Sequence, residues 1–171
     1  MIKNINNKKI KGYALLEIIF YIAIFSILTL AVINAIIVMT KAFKETSIQT
    51  DFVQSSTIME RISREIRQAN GINSINNNGN NLILNTKDDV GNDKTIEFLL
   101  TDSNLQIKEN DVLIGNLNTP NIIITGLSFD QITTVKGLAV RVVFNAKSFR
   151  DGSNRIEDFY DTIVLRGKYS N

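Results

Sequence analysis

Glu17 is the residue whose position most needs a chemical explanation, because it directly precedes residues 18–40, a run without any charged side chain. A carboxylate placed in a bilayer costs on the order of 3 kcal/mol near the centre, so such a group usually marks a function. Two interpretations stay open from the residue alone. Either the carboxylate has a function that offsets this cost, or it lies at the headgroup level and caps the N-terminus of a helix, where negative charge is favoured.

The other residue types exclude most catalytic chemistry. The chain has no cysteine and no histidine, which removes thiolate nucleophiles, disulfides and the commonest general base and transition-metal ligand. An acidic turn offers oxygen ligands for calcium at Asp88, Asp89 and Asp93, but its spacing is not that of an EF-hand and no bidentate glutamate follows. We interpret this segment as a solvated turn, and we predict no catalytic residue, no metal site and no cofactor.

The uncharged run predicts a membrane helix. Residues 18–40 would form roughly 35 Å of α-helix, which matches a bilayer core of about 30 Å. A buried helix of a soluble protein would need a polar outer face, and this run has none. An ordinary secretory signal peptide has a shorter apolar stretch followed by small residues at a cleavage site, whereas Met39, Thr40 and Lys41 lead directly into helical sequence.

The charge distribution predicts the orientation. Residues 1–12 contain four of the 19 basic residues, Lys3, Lys8, Lys9 and Lys11, and none of the 17 acidic ones, so the net charge of +2 becomes −2 without them. The positive-inside rule places these lysines in the cytoplasm and the C-terminal bulk outside the membrane.

The segment from Lys9 to Glu17, KIKGYALLE, resembles the type III signal of type IV prepilins and pseudopilins. That signal is a basic leader, a glycine, an aromatic residue, a small residue, leucine, any residue and glutamate, followed by about twenty apolar residues. Lys9 and Lys11 correspond to the basic leader, and Gly12, Leu15 and Glu17 match the motif directly. Tyr13 stands where phenylalanine is usual, and Ala14 where serine or threonine is usual.

The resemblance implies a specific processing route and specific partners. A prepilin peptidase would cut between Gly12 and Tyr13 and methylate the new amino group of Tyr13. Glu17 would then pair with the N-terminal ammonium of a neighbouring subunit. The implied partners are the peptidase, other pilin or pseudopilin subunits, the inner-membrane assembly platform and membrane lipid. Many major pilins have a proline at the position of Asn34, so its absence here favours a minor subunit.

Beyond Lys41 the sequence becomes amphipathic. No glycine or proline interrupts the segment before Asn70-Gly71, which we predict as the C-terminal cap of the same helix. A stripe at alternating spacings of three and four is predicted to pack on the protein's own sheet: Ile48, Phe52, Ser55, Met59, Ile62, Ile66 and Ala69. The arginines at 61, 64 and 67 alternate with Glu60 and Glu65, which is typical of a solvated face. A nucleic-acid contact stays open but has no support from this pattern.

The remainder of the chain has the pattern of short strands separated by turns. We predict an asparagine-rich loop over residues 73–81 and strands near 82–86, 94–100, 105–108, 112–115, 122–130, 138–147 and 159–167. The predicted fold is α+β and pilin-like, with one long N-terminal helix packed against a C-terminal antiparallel β-sheet. Its parts are a basic leader, 1–12, a transmembrane and assembly helix, 13–40, the amphipathic half of that helix, 41–70, and a β-rich extracytoplasmic globular domain, 71–171.

These observations together lead to one expected function and one alternative. Residues 59–69 and 161–166 are also similar in pattern to J-type pseudopilins and W-type minor pilins. The resemblance therefore implies a non-enzymatic minor pilin or pseudopilin, first in the cytoplasmic membrane as a single-pass protein and then in a filament of a pilus, type II secretion or competence DNA-uptake system. The alternative is a single-span anchor for an extracytoplasmic ligand-binding domain, with Glu17 acting only as a helix cap.

Overall fold

The computed structural model describes residues 10–76, 78–135 and 137–166. Lys3, Lys8 and Lys9 of the predicted leader lie outside these residues. A single helix, α1 (Ile10–Gln68), precedes all the strands and continues through Asn34 without a break. The chain forms two compact units, Met1–Glu45 and Thr46–Asn171, and α1 contributes residues to both.

The β-rich part contains eight strands in two antiparallel sheets. The strands are β1 (Gly71–Ile75), β2 (Asn81–Lys87), β3 (Asp93–Thr101), β4 (Asn104–Glu109), β5 (Val112–Asn116), β6 (Ile122–Thr134), β7 (Gly137–Ser148) and β8 (Glu157–Val164). The first five form one sheet in chain order, and the last three form the other. The α+β class, with a long N-terminal apolar helix and antiparallel strands, is therefore confirmed.

One hydrophobic core joins both sheets to the C-terminal part of α1. The helix contributes Ile58, Ile62 and Ile66 to this core. The rings of Phe98 in β3 and Phe129 in β6 lie 6.4 Å apart between centroids, so the two sheets meet directly. Alternation along the strands explains this arrangement, because every second side chain points to the same face of a sheet.

The prediction of a single sheet was wrong, and the segment between β5 and β6 supplies the physical reason. The backbone amide of Leu117 still donates to the carbonyl of Leu105 at 2.7 Å. Pro120 then interrupts the chain, and it has no N–H for a further strand pair. The buried Asn118 stabilises the turn, since its side chain accepts from the Leu105 amide at 2.8 Å and donates to the Ile122 carbonyl at 2.7 Å.

The prediction of a glycine cap at Asn70-Gly71 was also wrong. The Ala69 amide donates to the carbonyls of Glu65 and Ile66, and the Asn70 amide donates to Asn85 of β2 at 2.8 Å. Gly71 is already the first residue of β1, and it is not among the described glycines with positive φ. The helix therefore ends because the following residues pair with a strand. For the same reason residues 73–75, predicted as loop, belong to β1 despite their polar composition.

Candidate functional site

The N-terminal stretch of α1 is apolar and entirely exposed. Every residue from 13 to 46 is exposed, and the first buried side chain of the helix is Ile48. The helix is long and apolar enough to cross a membrane, and none of its most apolar window is buried within the protein. A soluble core helix would be covered by its own fold, so the surface of this stretch requires an apolar environment outside the described structure.

The signal residues that the sequence identified lie at the start of this stretch. Gly12 and Tyr13 are both within α1, so the peptide bond between them is helical in this structure. It lies in the first turn, where backbone N–H groups have no partner within the helix and ends readily fray. Tyr13, Leu15 and Glu17 are exposed, which leaves them available to another protein. Lys11 is part of α1 as well.

The Glu17 carboxyl group has one hydrogen-bond partner among the described residues. The Tyr21 hydroxyl donates to Glu17 Oε1 at 3.0 Å, from one turn further along the helix. Residues four apart lie on the same helix face, so this contact needs no change in the backbone. Sequence reasoning missed Tyr21, although the i, i+4 spacing of a hydroxyl and a carboxylate in an uncharged run is a readable signal.

The acidic turn at 88–93 does not bring metal ligands together. Both Asp88 oxygens accept hydrogen bonds within the turn, Oδ1 from the amides of Val90 and Asn92 and Oδ2 from the Asn92 side chain. These bonds, that from the Asn92 side chain first, lower the pKa of Asp88 below its usual value. Asp93 lies 4.0 Å from the Lys87 ammonium, and Asp89 is exposed. Within residues 10–76, 78–135 and 137–166, no group of three or more acidic side chains could hold a metal ion.

Two polar contacts, one buried and one partly buried, attach α1 to the second sheet, and sequence reasoning missed both. Asp51 is not a member of the predicted apolar stripe, but it is only 3 % exposed and accepts from the Ser148 hydroxyl at 2.6 Å. The Ser63 hydroxyl donates to Asp161 of β8 at 2.9 Å. Asp51 could have been recognised from its position three residues after Ile48, on nearly the same helix face.

The loop between β7 and β8 also contacts α1, at Phe52, the residue after Asp51. Asp151 accepts from the amide and hydroxyl of Ser153 and from the amide of Arg155. The Arg155 guanidinium lies 5.4 Å from the ring centroid of Phe52, within the range of a cation–π contact. Hydrogen bonds from Ser153 in particular lower the pKa of Asp151. The loop thus has specific contacts with the helix, whereas Phe149 remains exposed.

A cleft of about 410 Å³ lies between the helix and the segment that follows β5. Its floor is apolar and includes Ile58, Leu117 and Ile122, and Arg61 and Arg64 lie along its wall. Arg61 is paired with Glu65 at 3.0 Å. The helix face that the sequence predicts as solvated therefore lies along this cleft, where Glu60, Arg61 and Arg64 line it.

Comparisons with known proteins do not add to this description. No protein-family model, no curated protein and no solved structure matches the chain.

Proposed function

We propose that this chain is a minor pilin or pseudopilin, a structural subunit of a type IV pilus-like filament that a prepilin peptidase processes between Gly12 and Tyr13. One observation carries the proposal. An exposed carboxyl group at Glu17 directly precedes residues 18–40, an exposed helical run without any charged side chain, and lies five residues after the glycine of the signal. A plain membrane anchor would use this carboxyl group only as a helix cap, and that use does not account for Glu17, because α1 begins at Ile10 and has no acidic residue in its first turn.

The exposed apolar surface supports a subunit with two successive environments. Fully burying a large apolar side chain is worth about 1.5–3 kcal/mol relative to leaving it in water, so a helix stretch of this composition is not stable when exposed to solvent. Lipid covers the stretch before assembly, and the same stretch of neighbouring subunits covers it afterwards. In the second environment Glu17 meets the N-terminal ammonium of a neighbour, which compensates its charge.

The β-rich unit is compatible with removal of the leader. Every described core residue is Ile48 or a later residue and therefore lies on the C-terminal side of the cut after Gly12. The orientation inferred from the lysines places this unit on the extracytoplasmic side. There it would form the outer surface of the filament.

The test is the intact mass and N-terminal sequence of the full chain expressed with and without a prepilin peptidase. We expect a chain that begins at Tyr13, with or without one added methyl group, only when the peptidase is present. Gly12→Ala should slow the cut, since a Cβ obstructs the extended backbone in the protease and alanine stabilises the helical turn by about 0.5–1 kcal/mol. Gly71→Ala is the matched control, because an added Cβ there has no neighbour within 4 Å.

The alternative, a membrane-anchored ligand-binding domain, has one observation in its favour: the cleft with an apolar floor beside Arg61 and Arg64. Its volume lies in the range of small-ligand pockets, which have an apolar surface with a few polar groups to orient the ligand. The two functions differ in their prediction for the leader. A chain that keeps Met1 in cells with an active peptidase would refute the filament subunit and favour the anchored domain.

A further inference from the structure

We propose that Tyr21 is the positioning residue for Glu17: its hydroxyl satisfies one carboxyl oxygen while the subunit resides in lipid and holds the other toward a neighbouring chain. This inference rests on the proposed function for its role in assembly, although the contact itself does not. The observation behind it is the hydrogen bond that the Tyr21 hydroxyl donates to Glu17 Oε1 at 3.0 Å.

The other hydroxyl groups of the apolar run make Tyr21 distinctive. Ser26, Thr29 and Thr40 each donate to the backbone carbonyl four residues earlier, at 2.7–2.8 Å. Such bonds are a common way for serine and threonine to satisfy their hydroxyl groups inside a helix. A tyrosine hydroxyl lies too far from its own backbone for this, and Tyr21 donates to a side chain instead. Among the hydroxyl groups of residues 18–40, that of Tyr21 therefore donates to a side chain, whereas the others donate to the backbone.

Without the hydrogen bond from Tyr21, the Glu17 carboxyl group would lie in lipid without a donor among the described residues. Residues 18–40 contain no charged side chain, so the run itself supplies no cation. An unpaired polar group in hydrocarbon costs several kcal/mol. A phenol can donate to a carboxyl group in either protonation state, because the protonated acid keeps acceptor capacity. Tyr21 therefore compensates Glu17 without requiring a particular charge.

The geometry also leaves Glu17 ready for a second partner. Oε1 accepts from Tyr21, whereas Oε2 has no hydrogen-bond partner among the described residues. Both side chains are exposed, Tyr21 at 60 %. A carboxylate held at one oxygen loses less rotational freedom when a neighbour's ammonium binds the other. Tyr21 thereby prepares Glu17 for docking and does not compete with it.

The contact is tested first on the full chain in phosphatidylcholine vesicles, without any other subunit. The readout is the infrared carboxyl stretch of Glu17, identified by its loss in Glu17→Leu. We expect Tyr21→Phe to shift this band toward the frequency of a carboxyl group without a donor. Ser26→Ala, which removes a hydroxyl from the same run, and Tyr160→Phe, which makes the same change in β8, should leave it in place. An unchanged band in Tyr21→Phe would overturn the inference.

The role in assembly is tested in cells that contain the peptidase and the assembly machinery. Side-chain hydrogen bonds within membranes are modest, so we expect Tyr21→Phe to lower recovery of the subunit in sheared filaments about threefold. In the Glu17→Leu background the same change should have no further effect. A shifted band with unchanged recovery would overturn the role in docking.

The two proposals fail in different ways. If the chain is never processed or recovered in filaments, the proposed function fails, while the infrared band still decides whether Tyr21 satisfies Glu17. If the chain is processed and assembled normally but the band does not move, only the inference about Tyr21 fails.

Discussion

The buried contact between Asp51 and Ser148 gives the sharpest prediction for the stability of the β-rich unit. Asp51 and Ser148 are 3 % and 2 % exposed, and the Ser148 hydroxyl donates to Asp51 Oδ2 at 2.6 Å. Asp51→Ala removes a hydrogen bond to a charged group, which is worth about 1.5–3 kcal/mol, and leaves the serine hydroxyl buried without this acceptor. We expect the free energy of unfolding to fall by about 2–4 kcal/mol.

The assay is thermal unfolding of the full chain in detergent micelles, in which circular dichroism monitors the unfolding of the β-rich unit. A loss of this size lowers Tm by roughly 5–15 °C for a unit of this length. Glu60→Ala is the matched control, because Glu60 is an exposed acidic residue of the same helix and such a change usually costs less than about 0.5 kcal/mol. Ser148→Ala and the double variant complete a cycle, in which contacting residues couple by about 0.5–3 kcal/mol.

Two outcomes would refute this reasoning. If Asp51→Ala changes Tm no more than Glu60→Ala does, the buried carboxylate does not stabilise the attachment of the helix. If the double variant shows purely additive losses, Asp51 and Ser148 stabilise the unit independently, and the 2.6 Å contact contributes nothing of its own.

Two further predictions concern the titration of Asp151 in the β7–β8 loop and the stability of the hydrophobic core. The pKa of Asp151 lies below its usual 3.8 because Ser153 donates to it; its contribution to stability is therefore present above about pH 4 and is lost as the pH falls through the lower folded pKa. A carboxyl NMR titration should show this midpoint below 3.8, and Ser153→Ala should raise it, whereas an unchanged midpoint would contradict the assignment. Phe98→Ala removes a fully buried ring and should cost about 3–5 kcal/mol. Phe149→Ala, at a ring 73 % exposed, should leave urea unfolding unchanged within about 0.5 kcal/mol; equal losses in the two variants would refute the placement of the core.

Much of the strand pattern could be read from the sequence, because alternation and turn residues are local signals. All seven predicted strands are present, with ends that differ by a few residues. The remaining strand, β1, was missed because its glycine and asparagine are residue types depleted in strands. Its pairing with β2 overrides that preference, and Ile72 and Ile75 pack against the core. A strand of five residues that forms because of a tertiary contact has no hydrophobic periodicity from which it could be predicted.

The candidate site was likewise predictable from the sequence only in part. Glu17 was evident from the sequence because a single acidic residue beside a long uncharged run conflicts with the energetics of lipid. Tyr21 was not recognised as its partner, although the spacing of four residues would have allowed it. Asp51 was left out of the predicted stripe because aspartate is usually exposed, and its contact with Ser148 of β7 became evident only in the tertiary structure.

The sequence by itself therefore determined the uncharged N-terminal helix, its lysine-rich flank and the order of the strands, since each depends on composition and spacing within a short segment. The tertiary structure alone decided that the strands divide into two sheets, that α1 ends where the following residues pair with β2 and that a buried aspartate attaches the helix to the second sheet. The end of the helix depends on Asn85, 15 positions beyond Asn70, and the buried contact depends on Asp51 and Ser148, which are 97 positions apart. No pattern within one short segment records which group from another segment will pair with it.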